Sequence, residues 1–445
     1  EIAQCLVGSE MCIRDSAYGG IIMKYEYDRI ILGKDTIYDS DCSKTHINNN
    51  ILAVGTSGCG KTMSIIEPRL LETYNSSLIV TVTKRRIVNM YSTLFRERGY
   101  DVHDLNFADP SQCNVAYDPL EYVESYSDIT FLAESIVMAD QMKKQSNADP
   151  YWDQAAISLL SAEIYYVLMT KDDATFADVL ELHDKLTIKE NGGQIETSLD
   201  RNFETIAKIA PECFALSCWK SFRALPVKTA SCIFGTLNAT IDKIFSPELR
   251  NMIKLKNKVD FVKLANRKTV LFVTTSAVNP TLSCFINMFY AHAFKQLFEY
   301  SEKLPDGKLP IPVSILCDDF AVGGRIINFP EFISVFREKQ ISVTILIQSE
   351  SQLESMYGTD SATIINNCDT YVFMGGMDLK TGRSISERLN APLDEVLYMP
   401  INTIVVFRRG ERPVITQRYN IIQDKLHQKI TKQYEKFVSR SERCV

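Results

Sequence analysis

One octapeptide constrains the fold of this chain more than any other feature. It reads Gly55-Thr56-Ser57-Gly58-Cys59-Gly60-Lys61-Thr62 and matches the pattern GxxxxGK[ST] in full. The apolar run Ile51–Val54 precedes it and a helix-like segment follows it, so we predict a strand, a loop and a helix. There, successive backbone N–H groups and the positive end of the helix hold phosphate oxygens. We expect residues 55–62 to bind a nucleotide, with Lys61 at the β- and γ-phosphates and Thr62 at Mg²⁺.

Further apolar runs, rich in Val and Ile, indicate a parallel sheet. They are Leu78–Val82, Thr269–Thr275, Ile311–Cys317, Ile341–Ile347, Thr370–Met374 and Thr403–Phe407. Strands that are apolar on both faces belong in parallel sheets covered by helices. We therefore predict an α/β class, a P-loop nucleotide-binding fold with a mostly parallel sheet.

The chain divides into two domains by pattern. Its 445 residues suggest two or three domains at roughly 150 residues each. Residues 126–254 have amphipathic helical spacing and no strand pattern, which predicts an all-α domain inserted into a discontinuous nucleotide-binding domain of residues 23–125 plus 255–418. Residues 419–445 predict a C-terminal helix. We interpret that helix as solvated, although its basic residues also leave a nucleic-acid or partner contact open.

Composition excludes several classes of protein. The net charge is −6, with 49 Lys and Arg against 55 Asp and Glu, so any contact with nucleic acid must come from a local basic patch or pore. The 12 cysteines include no CxxC pair, which indicates reduced thiols in the cytoplasm. The five histidines show no ligand spacing, which argues against structural zinc. No run approaches the roughly 20 apolar residues of a membrane span.

The first residues have the pattern of an artefact. Leu6–Asp15 reads LVGSEMCIRD and resembles a translated sequencing adaptor, a kind of scar that is set aside in fold reasoning. We hypothesise that translation starts at Met23 and that residues 1–22 are adaptor and read-through of untranslated DNA. The source nucleotide sequence tests this hypothesis.

Two acids and a carboxamide complete the predicted site. The strand within Ile311–Cys317 ends in Asp318 and Asp319. We expect Asp318 to bind Mg²⁺ through water and Asp319 to act as the base that activates the attacking water. Gln348 follows the strand Ile341–Ile347, and its carboxamide could bond both that water and the γ-phosphate.

A second motif has a misleading pattern. Residues 170–173 read TKDD and match the TKxD pattern used for guanine recognition. They lie between two helical patterns of the insertion rather than after a strand of the nucleotide domain, so we favour ATP over GTP.

The order of these motifs resembles that of the VirD4/TraG-type coupling ATPases of type IV secretion and conjugation. The resemblance covers roughly residues 29–418. Beyond the phosphate loop and the acidic strand end, it rests on short segments in the family's order. These are Asn114–Leu120, Phe320-Ala321, Phe336–Glu338, Val343–Gln348, Gln352–Glu354, Tyr357-Gly358, Ile364–Cys368, Gly375 and Ser384–Ser386.

The resemblance implies a RecA-like motor that assembles as a hexameric ring. Such proteins use ATP to hand DNA and attached proteins to a secretion channel. The resemblance implies the same roles for the site residues. Lys61 and Thr62 would lie at the phosphates, Asp318 at Mg²⁺, Asp319 at the base position and Gln348 at the sensor position. It also implies a role for Arg337, which falls where the family has an arginine acting across the subunit interface.

Three departures from the family pattern matter. Asp319 stands where the family usually has Glu, and the shorter side chain retracts the carboxylate by about 1 Å, which costs on the order of 10²-fold in rate if nothing compensates. Lys84-Arg85-Arg86 replaces an acidic motif; it predicts either a phosphate contact or a solvated basic turn. Members usually begin with membrane helices, whereas no run in this sequence is apolar enough for one. We therefore expect this chain to act in the cytoplasm, or at the inner face of the membrane through partners.

The sequence thus favours an ATP-driven DNA translocase that recruits a relaxase bound to single-stranded DNA. Trp152, Trp219 and Arg223 lie in the insertion and are candidates for DNA contacts, although we favour a core position for both tryptophans. Two alternatives stay open. One is a nucleotide-dependent docking module with little or no hydrolysis, and the other is a channel-assembly ATPase that never binds DNA.

Overall fold

The structure is a computed structural model that describes residues 28–139, 150–192, 194–276, 282–320 and 325–441. The predicted adaptor and read-through segment, residues 1–22, and the predicted start at Met23 lie outside the described residues. Within these ranges, no helix is both long enough and apolar enough to cross a membrane.

A nine-stranded sheet organises the nucleotide-binding part of the chain. The described residues form thirteen strands, of which β1 with β2 and β6 with β7 form two separate two-stranded sheets. The strands are β1 (Arg29–Gly33), β2 (Thr36–Asp39), β3 (Ile51–Val54), β4 (Ser77–Val82), β5 (Asp101–Asn106), β6 (Ile188–Asn191), β7 (Gln194–Thr197), β8 (Thr269–Thr274), β9 (Val313–Cys317), β10 (Ile341–Ile347), β11 (Thr370–Phe373), β12 (Thr403–Arg408) and β13 (Val414–Gln417). The sheet order is β13-β12-β11-β3-β10-β9-β4-β8-β5. The strands from β11 to β5 run parallel, and β12 and β13 extend one edge antiparallel. This sheet confirms the predicted α/β class.

The central strands are apolar because both faces of the sheet are covered. In β3, Leu52 and Val54 belong to one hydrophobic core, while Ile51 and Ala53 belong to the other. Successive side chains of a strand point to opposite faces. A strand between two helical layers must therefore be apolar at every position, and this is why the runs were visible in the sequence.

Helices cover both faces and build the insertion. They are α1 (Cys42–Thr45), α2 (Glu67–Glu72), α3 (Arg85–Glu97), α4 (Tyr126–Val137), α5 (Pro150–Thr170), α6 (Phe176–Asp184), α7 (Asp200–Ile209), α8 (Phe214–Arg223), α9 (Val227–Ile244), α10 (Pro247–Ile253), α11 (Phe261–Asn266), α12 (Ser283–Glu302), α13 (Phe329–Lys339), α14 (Glu350–Tyr357), α15 (Ser361–Asn366), α16 (Leu379–Leu389), α17 (Leu393–Leu397) and α18 (Lys425–Ser441). Helices α2, α3 and α18 pack on one face of the sheet. Helices α12 and α13 and the insertion share the core on the other face.

The insertion is helical except for one hairpin that we did not predict. Helices α4 to α10 lie within residues 126–254, and β6 and β7 pair antiparallel between α6 and α7. Most of the hairpin's side chains are exposed, and its strands of four residues are too short and polar to show a clear apolar alternation in the sequence. Gly192, which directly follows β6 and has a φ of 57°, is the local signal that could have revealed it.

The two tryptophans of the insertion differ in burial. Trp219 is buried, and its ring stacks on Phe203 with centroids 4.1 Å apart, which agrees with the interpretation as core. Trp152 is 44% exposed, so the same interpretation is wrong for that residue. Arg223 forms an ion pair with Asp200 at 3.1 Å, so its charge is partly used within the insertion.

Candidate nucleotide site

The phosphate loop joins β3 to the following helical turn, and its backbone requires glycine at three positions. Gly58 and Gly60 have φ values of 80° and 88°, a region that other residues rarely adopt. At Gly55 a Cβ atom would lie 2.7 Å from the Cys59 Sγ and 2.9 Å from the Met374 Cβ. Glycine is thus required at positions 58 and 60 by backbone conformation and at position 55 by lack of space for a side chain.

The helix after the loop begins as a widened turn. Residues Thr62–Ile66 are π-helical, and the Glu67 N–H bonds to the Thr62 carbonyl, five residues earlier. Pro68 is at the start of α2 and has no N–H with which to continue the usual ladder. Widened turns of this kind are frequent at functional sites.

Lys61 lies across the mouth of the loop. Its ammonium donates to the carbonyl oxygens of Gly55 at 2.5 Å and Thr56 at 3.0 Å. The side chain is buried, and within the described residues it forms no ion pair with a carboxylate. A buried, unpaired cation at this position is suited to an incoming anion.

Thr62 and Asp318 meet although 256 residues separate them. The Thr62 Oγ1 lies 2.9 Å from Oδ1 and 2.8 Å from Oδ2 of Asp318. Parallel pairing of β10 with β3 and with β9 brings the carboxyl ends of these strands to the same edge. Burial raises the pKa of Asp318 and the charge of Asp319 adds to this effect, against the opposing Thr62 hydrogen bond and Lys61 charge. A hydroxyl and a carboxylate at one point are oxygen ligands of the kind Mg²⁺ takes.

Asp319 has an unusual backbone conformation. Its φ is 59°, in the left-handed region that aspartate enters more readily than most residues. It borders a cavity of about 20 Å³ beside Thr81, Asn287 and Tyr290. Its role as the general base stays a prediction.

Gln348 and Arg337 lie near opposite ends of β10. Gln348 directly follows Ile347, whose carbonyl accepts the Gly55 N–H at 3.2 Å, so Gln348 flanks the beginning of the loop. Arg337 is exposed in the last turn of α13, just before β10 begins. Since the loop is at the carboxyl end of the strands, Arg337 does not meet the phosphate loop of the same chain. The roles of both residues stay predictions.

Residues 84–86, which the sequence suggested as a basic turn, lie at the start of α3, and the two arginines form contacts within the protein. Arg85 makes a two-pronged ion pair with Asp104 at 2.7 and 2.6 Å, and Arg86 bonds to Glu67 at 2.9 Å. These pairs argue against the nucleic-acid contact that three adjacent positive charges suggested. Lys84 remains near the site, where its charge opposes the rise in the pKa of Asp318.

A buried carboxylate links the loop helix to the C-terminal helix. Glu67 accepts hydrogen bonds from Arg86 and Tyr91, each at 2.9 Å, and its Oε2 lies 3.3 Å from the Nε2 of His427 on α18. Burial raises the pKa of Glu67, but the bonds from His427 and Tyr91 and the charge of Arg86 outweigh burial and lower it. Ile430 of α18 is also buried, so this helix is packed on one side rather than fully solvated.

Sequence reasoning missed one cation at the loop. Arg418, directly after β13, donates from Nη1 to the Cys59 carbonyl at 3.0 Å. No local pattern marks such a contact, because 359 residues separate the two partners.

The TKDD motif lies apart from these elements. Thr170 ends α5 and its hydroxyl donates to the Tyr166 carbonyl at 2.8 Å, while Lys171 forms an ion pair with Asp178 at 2.5 Å. These contacts are internal to the insertion and account for the motif without a nucleotide.

Solved structures share the fold of this chain. The bacterial conjugative coupling protein TrwB, in an unbound form, has a TM-score of 0.61 and 14% identity over 89% of this chain and 90% of that chain. TrwB with ADP and Mg²⁺ has a TM-score of 0.60 and 15% identity over 90% and 97%. VirB4 of Thermoanaerobacter pseudethanolicus has a TM-score of 0.51 and 13% identity over 91% and 99%. These likenesses confirm the predicted RecA-like P-loop fold.

Sequence comparison gives the family. No curated protein sequence matches this chain significantly. Residues 21–392 match the family model described as type IV secretory system conjugative DNA transfer. That match spans most of the chain and includes the phosphate loop, Asp318 and the insertion. The chain therefore belongs to the type IV secretory system conjugative DNA transfer family, as its VirD4/TraG resemblance predicted.

Proposed function

We propose that this protein is an ATP-driven, DNA-translocating coupling protein that recruits relaxase-bound single-stranded DNA to a type IV secretion channel. The contact of Thr62 with Asp318 beside the unpaired Lys61 carries the proposal. It supports a nucleotide site in a chain of a conjugative DNA transfer family. TrwB has been crystallised with the ATP analogue ADPNP and with ADP and Mg²⁺, which supports the same ligands here.

Different groups of the site would bind different parts of the nucleotide and its metal ion. The backbone N–H groups of residues 58–62 would hold phosphate oxygens, and Lys61 would exchange its carbonyl partners for the β- and γ-phosphates. Thr62 and Asp318 would hold Mg²⁺. When bound, Mg²⁺ neutralises the charge that develops on the phosphoryl group.

Hydrolysis would use three further residues. Asp319 would accept the proton of the attacking water, and Gln348 would orient that water beside the loop. Arg337 lies toward the opposite end of the strands from the loop, so it could reach a phosphate only in a neighbouring subunit. That position supports the proposal of a ring, a homo-hexamer, in which Arg337 stabilises transition-state charge across the interface.

Contact with DNA would be local because the chain is acidic overall, with a net charge of −6. We propose that DNA passes through the ring and that the insertion, residues 126–254, contributes to the pore. The expected partners are the relaxase and components of the secretion channel, which would hold the protein at the inner face of the membrane.

Steady-state phosphate release, with and without single-stranded DNA, tests the proposal. We expect DNA to stimulate turnover and Lys61→Ala to abolish it. Lys308→Ala removes a lysine away from the site and serves as the matched control, with unchanged turnover. Turnover that is independent of DNA would contradict translocation and favour a channel-assembly ATPase.

A docking module with little hydrolysis is the second candidate. The short side chain of Asp319 favours it, because aspartate has one methylene fewer than the family's usual Glu and its carboxylate reaches about 1 Å less far. Nucleotide binding without any phosphate release, in the presence of DNA, would support this candidate over the motor.

A further inference from the structure

Arg418 contacts the phosphate loop from the far end of the chain. Its Nη1 donates to the Cys59 carbonyl at 3.0 Å. We propose that Arg418 is a positioning residue of the nucleotide site, which fixes the loop through Cys59 and places an unpaired positive charge beside the bound phosphates. This inference rests on the proposed nucleotide binding and adds to it a residue that recognises phosphate charge.

The backbone of Arg418 is fixed at the edge of the sheet where the loop lies. Strand β13 is antiparallel to β12, which is antiparallel to β11, so β13 runs in the same direction as β11 and β3. The Arg418 N–H donates to the Asn402 carbonyl at 2.8 Å, and the preceding Gln417 carbonyl accepts the Lys34 N–H at 2.8 Å. The side chain therefore extends from an ordered position.

Gly60 leaves the space that the guanidinium occupies. A Cβ atom at Gly60 would lie 2.2 Å from the Arg418 Nη1 and 3.4 Å from its Cζ. The guanidinium thus rests on the loop backbone at the residue before Lys61. In loops of this type, the N–H groups of that stretch of backbone face the phosphates.

The charge of Arg418 is not compensated within the described residues. A guanidinium has five N–H donors, and the side-chain hydrogen bond of Arg418 goes to a neutral carbonyl rather than to a carboxylate. Lys61 also has only carbonyl partners there. Two cations without acid partners on one loop favour ligands that bring several negative charges, such as a nucleoside di- or triphosphate over a monophosphate.

Arg418 is supplied by a segment beyond the family match, which ends at residue 392. The other residues of the proposed site all lie within the matched range. Deleting the charge tests whether the added contact matters for binding.

Isothermal titration calorimetry of ADP and AMP, on the full chain at low and high salt, tests the inference. The variants are Arg418→Gln, which removes the charge, and Arg418→Lys, which keeps it. The matched control is Arg412→Gln, on the exposed turn between β12 and β13. We expect Arg418→Gln to bind ADP roughly tenfold more weakly, the order that one hydrogen bond to a charged group contributes. The loss should be smaller for AMP and smaller at high salt.

The outcomes separate this inference from the proposed function. Partial recovery of ADP binding by Arg418→Lys, with wild-type binding by Arg412→Gln, supports a role for the charge. Wild-type ADP affinity in Arg418→Gln overturns the inference alone, as does an equal loss for ADP and AMP that Arg418→Lys does not restore. If circular dichroism shows that Arg418→Gln is unfolded, the affinities of Arg418→Lys for ADP and AMP decide. A loss that is larger for ADP than for AMP supports the inference, and an equal loss for both overturns it. Failure of the wild-type protein to bind ADP overturns the proposed function.

Discussion

Replacing Gly60 by alanine imposes two separable costs on the phosphate loop. The first is the positive φ of 88°, which costs an alanine roughly 1–2 kcal/mol. The second is steric: the new Cβ would lie 2.2 Å from the Arg418 Nη1, where real Cβ contacts stay above 3.0 Å. The guanidinium must move, and its bond to Cys59 is lost. For a half-exposed cation that bond contributes about 1.5 kcal/mol, the lower end for charged groups.

Two comparisons isolate these costs in urea unfolding followed by circular dichroism. Gly99 has a similar φ of 79°, but a Cβ atom added there would meet no atom within 4 Å, so Gly99→Ala should show the backbone cost alone. Gly60→Ala should cost about 1.5 kcal/mol more than that control. In an Arg418→Ala background, where the guanidinium is already absent, the excess should vanish. Equal effects of the two glycine substitutions, or an excess that persists without Arg418, would refute the reasoning.

Three further predictions use other parts of the molecule. Asp319→Glu should raise the rate of phosphate release by up to about 10²-fold by extending the carboxylate. Because glutamate is less suited than aspartate to the left-handed φ of 59°, the same substitution should lower the free energy of unfolding by roughly 1 kcal/mol. An unchanged rate would contradict the account of the shortened base. His292 is buried in α12, where burial lowers its pKa to about 4. Between about pH 6.5 and 4 only the unfolded chain binds a proton at this residue, so stability should fall by roughly 3 kcal/mol as the pH is lowered across that window. His292→Gln should flatten this part of the pH profile of urea unfolding, and an unaltered profile would locate the protonation elsewhere. Trp219→Ala, which empties a buried stack, should cost about 3–5 kcal/mol of stability. Trp152→Ala, at a residue that is 44% exposed, should cost about half as much or less, and similar urea midpoints would argue against the difference in burial.

Much of the sheet could be predicted because its signals are local. A central strand between two helical layers is apolar at every position, as in Val313–Cys317, and so stands out as a run. Strands β5 and β13 are at the edges of the sheet, and their more polar, more exposed residues carry no such run. The hairpin of β6 and β7 was missed for the same reason.

The sequence by itself determined the phosphate loop, the adjacent strand and helix, the α/β class and the acidic strand end at Asp318. Each depends on residues that are neighbours in the chain, and Gly58 and Gly60 are required by their positive φ values. Only the tertiary structure decided which distant groups meet. It used Arg85 and Arg86 in ion pairs, linked Glu67 to His427 and brought Arg418 onto Gly60. Such contacts follow from strand order and helix packing, and no local pattern of residues encodes them.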